Sequence, residues 1–210
     1  MILYVFVKGD SMSLKDELKS CIIDQIQRDN EWFYHGFFLT SFNGYSDFIN
    51  MYNNGIKCSY LRHSKRSGGN NGNYYVSLSK INNCNPSNSS YLQITHSRPA
   101  FIISGIKPIK TINFDIPTNS ILPIRSSSYE DEFQQFLKVN PKNFIGIQMA
   151  MSEIENLINR DPDYVKMFSN IFEYLIFIES ILPFYVYDNP QSDLFLVDKE
   201  KCRNLINKCL

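Results

Sequence analysis

Apolar and polar positions along this 210-residue chain follow two periods, and the switches between them mark out the elements. The opening apolar run ILYVFV reads as a first strand. Ser13 then stands three residues before Asp16, and Leu14, Leu18, Ile22, Ile23 and Ile26 follow at helical spacing. That pattern predicts an N-capped amphipathic helix ending near Arg28. EWFYHGFFLTSF is aromatic and extended in character, and SDFINMYNNGI reads as a short helix closed by Gly55. YYVSLSKI, AFIISGI, KTINFDI and NFIGIQMA read as strands, separated by the Asn/Ser-rich NNCNPSNSS, by Pro108 and Pro117, and by an Asn-Pro turn. SEIENLI and PDYVKMFSNIFEYLIFIESIL are helical in period, with Val165, Phe168, Ile171, Phe172, Leu175 and Ile176 tracing one face. An Asp-Asn-Pro turn and a short helix close the chain. With no internal repeat and no long linker, the expectation is one α+β domain over residues 1–210, its core in 1–150 and a mostly helical part in 151–210.

Charge narrows the function classes. Lys and Arg total 21, as do Asp and Glu, so the net charge is zero. A broad electrostatic grip on nucleic acid or on an anionic membrane is not expected. Cys21, Cys58, Cys84, Cys202 and Cys209 are scattered and lack the close pairs of a zinc site or redox couple, which points to reduced thiols and no metal. MILYVFVKGD has no basic leader and is too short to span a bilayer; IFEYLIFIESILPFYVY carries Glu173 and Glu179. The expectation is a cytoplasmic protein, or one exported by a specialised secretion system without a classical signal peptide.

Three stretches could carry chemistry. In FYHG, His35 sits between aromatics and Gly36, where backbone can approach a ligand closely. In GNYYVSLSK, Tyr75, Ser77 and Ser79 share one face of a strand and Tyr74, Val76 and Leu78 the other. In RSSSYEDEFQQF, a strand beginning near Tyr129 puts Glu130 and Glu132 on one side and Asp131 on the other. Such neighbouring acids repel, a cost tolerated chiefly where a site uses it. Taken singly, each stretch also fits an ordinary structural histidine, a half-buried strand or a solvated turn.

Their order is more telling. An aromatic strand with His-Gly, a short helix ending in glycine, a Gly-rich basic loop, Tyr-Val-Ser-Leu-Ser, and Glu-x-Glu before an apolar strand together resemble the ADP-ribosyltransferase superfamily. The likeness spans roughly residues 32–149. It implies an α+β fold with a split β-sheet core, flanking helices and a helical C-terminal part, and NAD as co-substrate. FYHG resembles the first motif of the branch shared by diphtheria-type toxins and poly-ADP-ribose polymerases, which assigns His35 to the adenine-side ribose and Gly36 to the nicotinamide amide. GNYYVSLS is similar to the second motif, nominating Tyr75, Ser77 and Ser79 for the nicotinamide pocket, and SNSSYL nominates Tyr91 as a stacking ring. Glu132 takes the catalytic position and Glu130 the acceptor-facing one.

A departure stands beside these matches: arginine-modifying members carry arginine where this chain has His35, and Ser-Thr-Ser where it has Ser-Leu-Ser. The acceptor, a protein side chain with arginine one option and a host protein the expected partner, is left less defined than the NAD chemistry. Arg62, Lys65 and Arg66 on the Gly-rich loop suit the pyrophosphate, because guanidinium pairs well with phosphate oxygens. Composition rich in Asn, Ile, Lys and Ser resembles that of effectors of intracellular bacteria, so a toxin or virulence role is the expected setting. The rival readings are a nucleic-acid-directed transferase of the same fold, such as an RNA 2′-phosphotransferase, which the neutral charge disfavours, and a non-catalytic protein-binding module.

Overall fold

The computed structural model describes residues 13–37, 44–58, 60–62, 74–80, 99–110, 132–160 (157–160 as backbone), 182–189 and 192–208, with isolated positions between 163 and 173. Among the described residues the α-helices with defined bounds are α1 (Leu14–Ser20), α2 (Gly44–Asn54), α3 (Met151–Arg160) and α4 (Lys199–Lys208), and isolated helical positions lie between 163 and 173. The strands are β1 (Ile22–Ile26), β2 (Phe33–Gly36), β3 (Ile56–Lys57), β4 (Tyr75–Ser79), β5 (Ala100–Ile103), β6 (Ile109–Lys110), β7 (Glu132–Phe136), β8 (Lys138–Val139), β9 (Phe144–Ala150), β10 (Phe184–Tyr187) and β11 (Leu194–Val197). Nine of them form one sheet in the order β1-β11-β10-β9-β5-β2-β4-β7-β6, and β3 pairs with β8. Every adjacent pair is antiparallel except β9 and β10. The class is α+β.

The first helix is shorter than its pattern predicts. Ser13 caps it, its Oγ accepting from the Asp16 N–H at 3.3 Å, and the Cys21 N–H closes it on Leu18 O at 3.0 Å. Ile22, Ile23 and Ile26 belong instead to β1, paired with β11. Leu18, Ile22 and Ile26 lie four apart, a spacing in phase in a helix and in a strand alike, so periodicity did not separate the two. The β-branched side chains and the waiting edge of β11 decide for the strand.

The C-terminal part adds strands to its helices. FYVY and LFLV, to which the sequence pattern assigns no element, are strands β10 and β11 of the main sheet. Their alternation is short, four residues each, and lies beside a long helical pattern that dominates any wider window. Among the described residues no helix is long and apolar enough to cross a membrane.

The sheet buries both faces. On the first, Phe33, Phe37, Val76, Leu78, Phe101 and Ile103 pack with Leu18 of α1, Phe48 of α2, Ile154 of α3 and Cys202 and Ile206 of α4. Phe48 stacks on Phe101 at 5.7 Å and Phe101 on Phe144 at 4.5 Å. Burying one such ring contributes about 1.5–3 kcal/mol. The second face holds Tyr34, Ala100, Ile102, Ala150, Tyr187 and Leu194.

Gly146 of β9 lies on that second face, where an added Cβ would stand 2.7 Å from the Tyr185 ring and 3.3 Å from Ile102 Cδ1. Gly146→Ala should destabilise the fold by about 1–3 kcal/mol, since the ring must swing off the strand. Urea unfolding measures this, and an unchanged midpoint would show that Tyr185 yields freely.

Candidate functional site

Three motifs far apart in sequence become neighbours, because β4 lies between β2 and β7. Tyr34 is opposite Ser79, and Ser79 is opposite Glu132. One step on, Ser77 faces Gln134, and Tyr75 faces Phe136 at the far end. Residues directly opposite in a ladder share a face, so Tyr75, Ser77, Ser79, Glu132 and Gln134 line the same side as Tyr34. Glu132 is 6% exposed, Ser79 fully buried and Gln134 almost so. Acids are rarely buried without partners, and Glu132 stands opposite Ser79 on the face it shares with Gln134.

The ladder between β2 and β4 stops at Tyr34–Ser79. Hydrogen-bond directions show what the interruption leaves. Phe37 N–H reaches Pro99 O on the β5 side at 2.9 Å, so Phe33, His35 and Phe37 direct their backbone to β5, and Tyr34 and Gly36 direct theirs to β4. Leu137 N–H reaches Tyr74 O at 2.7 Å, which turns the backbone of Tyr75, Ser77 and Ser79 toward β2 by the same alternation. A continuous ladder would join Gly36 N–H to Ser77 O. The His35 ring lies against that carbonyl, Nδ1 being 2.8 Å from Ser77 O. Ser79 Oγ donates to Tyr34 O at 3.3 Å just before the break. The registered pairing of β2 with β4 therefore ends before Gly36, whose peptide edge is directed toward β4; this interruption is the gap.

This geometry sets the chemistry of His35. A carbonyl only accepts, so Nδ1 carries the hydrogen and Nε2 keeps a lone pair. Although part of the residue stays exposed, burial pushes its pKa down to about 4; the Ser77 carbonyl opposes that fall and the charge of Arg62 adds to it. His35 is thus neutral at pH 7 and offers Nε2 as an acceptor for a hydroxyl group.

The folded pKa lies below the ordinary value of 6.5, so between the two the unfolded chain binds more protons and stability falls as pH drops. The contribution is complete above pH 6.5 and lost as pH falls toward 4, amounting to about 3 kcal/mol at most. Denaturant unfolding at several pH values should show the wild type losing that much relative to His35→Gln. A difference that does not vary with pH would contradict the neutral, carbonyl-bound imidazole.

Side chains beyond the predicted set support this face. Arg28, in the segment after β1, donates from Nη1 to Tyr34 Oη at 3.2 Å and to Gln148 Oε1 at 2.6 Å, and from Nε to Ser192 O at 2.7 Å. Its guanidinium lies 4.9 Å from the Tyr187 ring centre and 5.5 Å from that of Tyr34. Burial pushes both phenols up in pKa and the Arg28 charge pulls both back. Arg28 sits in a polar stretch at the end of a misjudged helix, so no periodicity marked it. Tyr34 and Gln148 were legible only as alternate positions of strands.

Of the predicted residues, His35, Gly36, Ser77, Ser79 and Glu132 come together at or beside the gap. Tyr75 lies further along β4, buried with its ring 5.6 Å from that of Phe136. Arg62 is exposed on the turn after β3, near enough for its charge to act on His35. His35 belongs by alternation to the opposite face from Glu132, so the two meet only through the opening between the strands. Glu130, Tyr91 and Arg66, with Lys65 and Asp131, lie outside the described residues. Compared with protein-family models, with curated proteins and with solved structures, the chain matches none of them.

Proposed function

We propose that this chain is an NAD-cleaving ADP-ribosyltransferase of split-sheet fold that transfers ADP-ribose to a protein side chain. The observation that carries the reading is the interrupted ladder at Gly36–Ser77, beside the row Tyr34–Ser79–Glu132. A peptide edge presenting both N–H and C=O matches a carboxamide, which offers one acceptor and two donors. Nicotinamide carries such a group. A neutral imidazole with a bare Nε2 suits a ribose hydroxyl, and a carboxylate inside a polar row suits a sugar that gains positive charge.

Cleavage breaks the bond between the nicotinamide nitrogen and C1′ of the ribose, and the electron pair leaves with nicotinamide. The sugar approaches an oxocarbenium-like state, the same electrostatic problem a glycosidase solves. Glu132, paired with Ser79 of β4 at the start of β7, would stabilise that charge with little reorganisation. Gly36 and His35 would hold the two ends in a reactive pose. The acceptor nucleophile then bonds to C1′, and its proton passes to a base, the role assigned to Glu130.

Calorimetry of the full chain with NAD tests this. Binding in the micromolar to low millimolar range, weakened at least about five-fold by His35→Ala, is expected, as one lost buried hydrogen bond costs roughly 1 kcal/mol or more. Absence of binding at millimolar NAD would favour a protein-binding module that lacks the chemistry.

A further inference from the structure

Among the described residues β6 is the last strand on one side of the main sheet and β1 the last on the other. Ile109 of β6 stands opposite Gln134, which puts it on the face that also carries Glu132 and Phe136, the alternate residues of β7. Glu132 and Phe136 lie two residues to either side of Gln134, about 7 Å along the strand. Ile109 is 47% exposed and Phe136 41%. The Phe136 ring is steadied by Tyr75, the ring centres 5.6 Å apart and the planes at 61°. Two large apolar side chains thus stand in water on the face of the proposed catalytic carboxylate.

Charge selects what could cover them. Lys107 and Lys110 are exposed, and residues 99–110 and 133–139 contain no acid. A second copy meeting β6 edge to edge would set lysine against lysine, a pairing that repels, and edge lysines guard against such association. An acidic strand is attracted instead. The β1 edge is a poorer template, because its register slips between Ile22 and Asp24, and a bulge twists an edge away from a partner.

We infer that the β6 edge, with Ile109, Phe136, Lys107 and Lys110, docks an extended segment of the protein acceptor in which apolar and acidic residues alternate. The segment adds a strand outside β6, its backbone pairing giving affinity and its side chains giving choice. Its apolar residues lie on the face of Ile109 and Phe136. Its acids lie on the other face, with Lys110, which stands opposite Phe133. An added strand runs two strand spacings, about 10 Å, from β7, so it holds the partner beside Glu132 without filling its place. That the partner is the acceptor rests on the NAD reading above.

Fluorescence anisotropy of the full chain with two short labelled peptides, one alternating Val and Glu and one alternating Val and Lys, tests the docking edge. The wild type should bind the Glu peptide and discriminate against the Lys peptide. Ile109→Asp should weaken the Glu peptide about ten-fold or more, and Lys107→Glu combined with Lys110→Glu should reverse the preference. These side chains are exposed, so each variant should melt with the wild type. Of two Glu peptides methylated on one or the other set of alternate backbone nitrogens, one should bind and the other fail, because only one set faces β6. Equal binding of the Glu and Lys peptides, equal binding by wild type and Ile109→Asp, or no binding of either peptide would overturn the docking edge, and each of these results leaves the NAD reading standing. A chain that binds the Glu peptide but not NAD would keep the edge and overturn the partner's role as acceptor.

Discussion

Glu132→Gln should lower NAD turnover by about 10²–10³-fold while leaving NAD affinity within a few-fold and the melting temperature close to wild type. The magnitude is that of removing one preorganised electrostatic group from a site where charge develops. Glutamine fills the same space opposite Ser79 and keeps a hydrogen-bonding oxygen, so packing and ground-state binding should survive. What is lost is the negative charge, which matters more in the transition state than with intact NAD. Nicotinamide release measured on both proteins provides the comparison. Equal rates would remove Glu132 from the chemistry, whereas loss of affinity and fold together would make it a structural residue.

Gly55→Ala should be the most damaging added methyl among Gly55, Gly105 and Gly146, costing about 3–5 kcal/mol. Gly55 ends α2 with φ +81°, its N–H donating to Met51 O at 2.8 Å. An L side chain there costs about 1–2 kcal/mol from the backbone alone. The added Cβ would also fall 2.3 Å from Val139 O and 2.9 Å from Lys138 Cε. Relieving that contact means parting Gly55 from β8, and Ile56 and Lys57 are the residues that pair with β8. At about 2–4 °C per kcal/mol for a chain of this size, the midpoint should fall by roughly 10 °C. Gly105→Ala is the control: its φ is +70°, but the nearest atom to its Cβ is Asn143 Nδ2 at 3.5 Å, so only the backbone cost of about 1–2 kcal/mol applies. Similar melting of the two variants would show that β8 gives way.

The strands of the site were legible because their alternation is local. FYHG, YVSLS and AFII each carry enough β-branched or aromatic side chains to declare a strand, and Gly55 declared the end of α2. The division of YYVSLS into two faces also appears in the structure, with Val76 and Leu78 in the first core. What could not be read was adjacency. Nothing in the spacing of residues 33–36, 75–79 and 132–136 says that β4 lies between β2 and β7, because strand order is set by packing over long separations. The same gap in information hid β10 and β11. These strands belong to the sheet through β9 and β1, partners 37 or more residues from β10 and 168 or more from β11 at the registered positions. Arg28 was missed for a different reason. Its partners Tyr34, Gln148 and Ser192 come from three segments, and a residue defined by such convergence has no sequence pattern of its own.

The side on which His35 stands is the sharpest refinement. The resemblance gives His35 and Glu132 separate roles on one NAD molecule, and strand alternation sets the two residues on opposite faces. On the proposed function, the break in the ladder at Gly36 would let one ligand reach both, so the functional account depends on that break. Amide hydrogen exchange at Gly36, followed by NMR with and without NAD, tests it most directly. The account predicts a Gly36 amide that exchanges quickly in the free protein, unlike Phe33 and His35 in their ladder with β5, and slows when NAD is added. A Gly36 amide already as protected as His35, or one that NAD leaves unchanged, would contradict it.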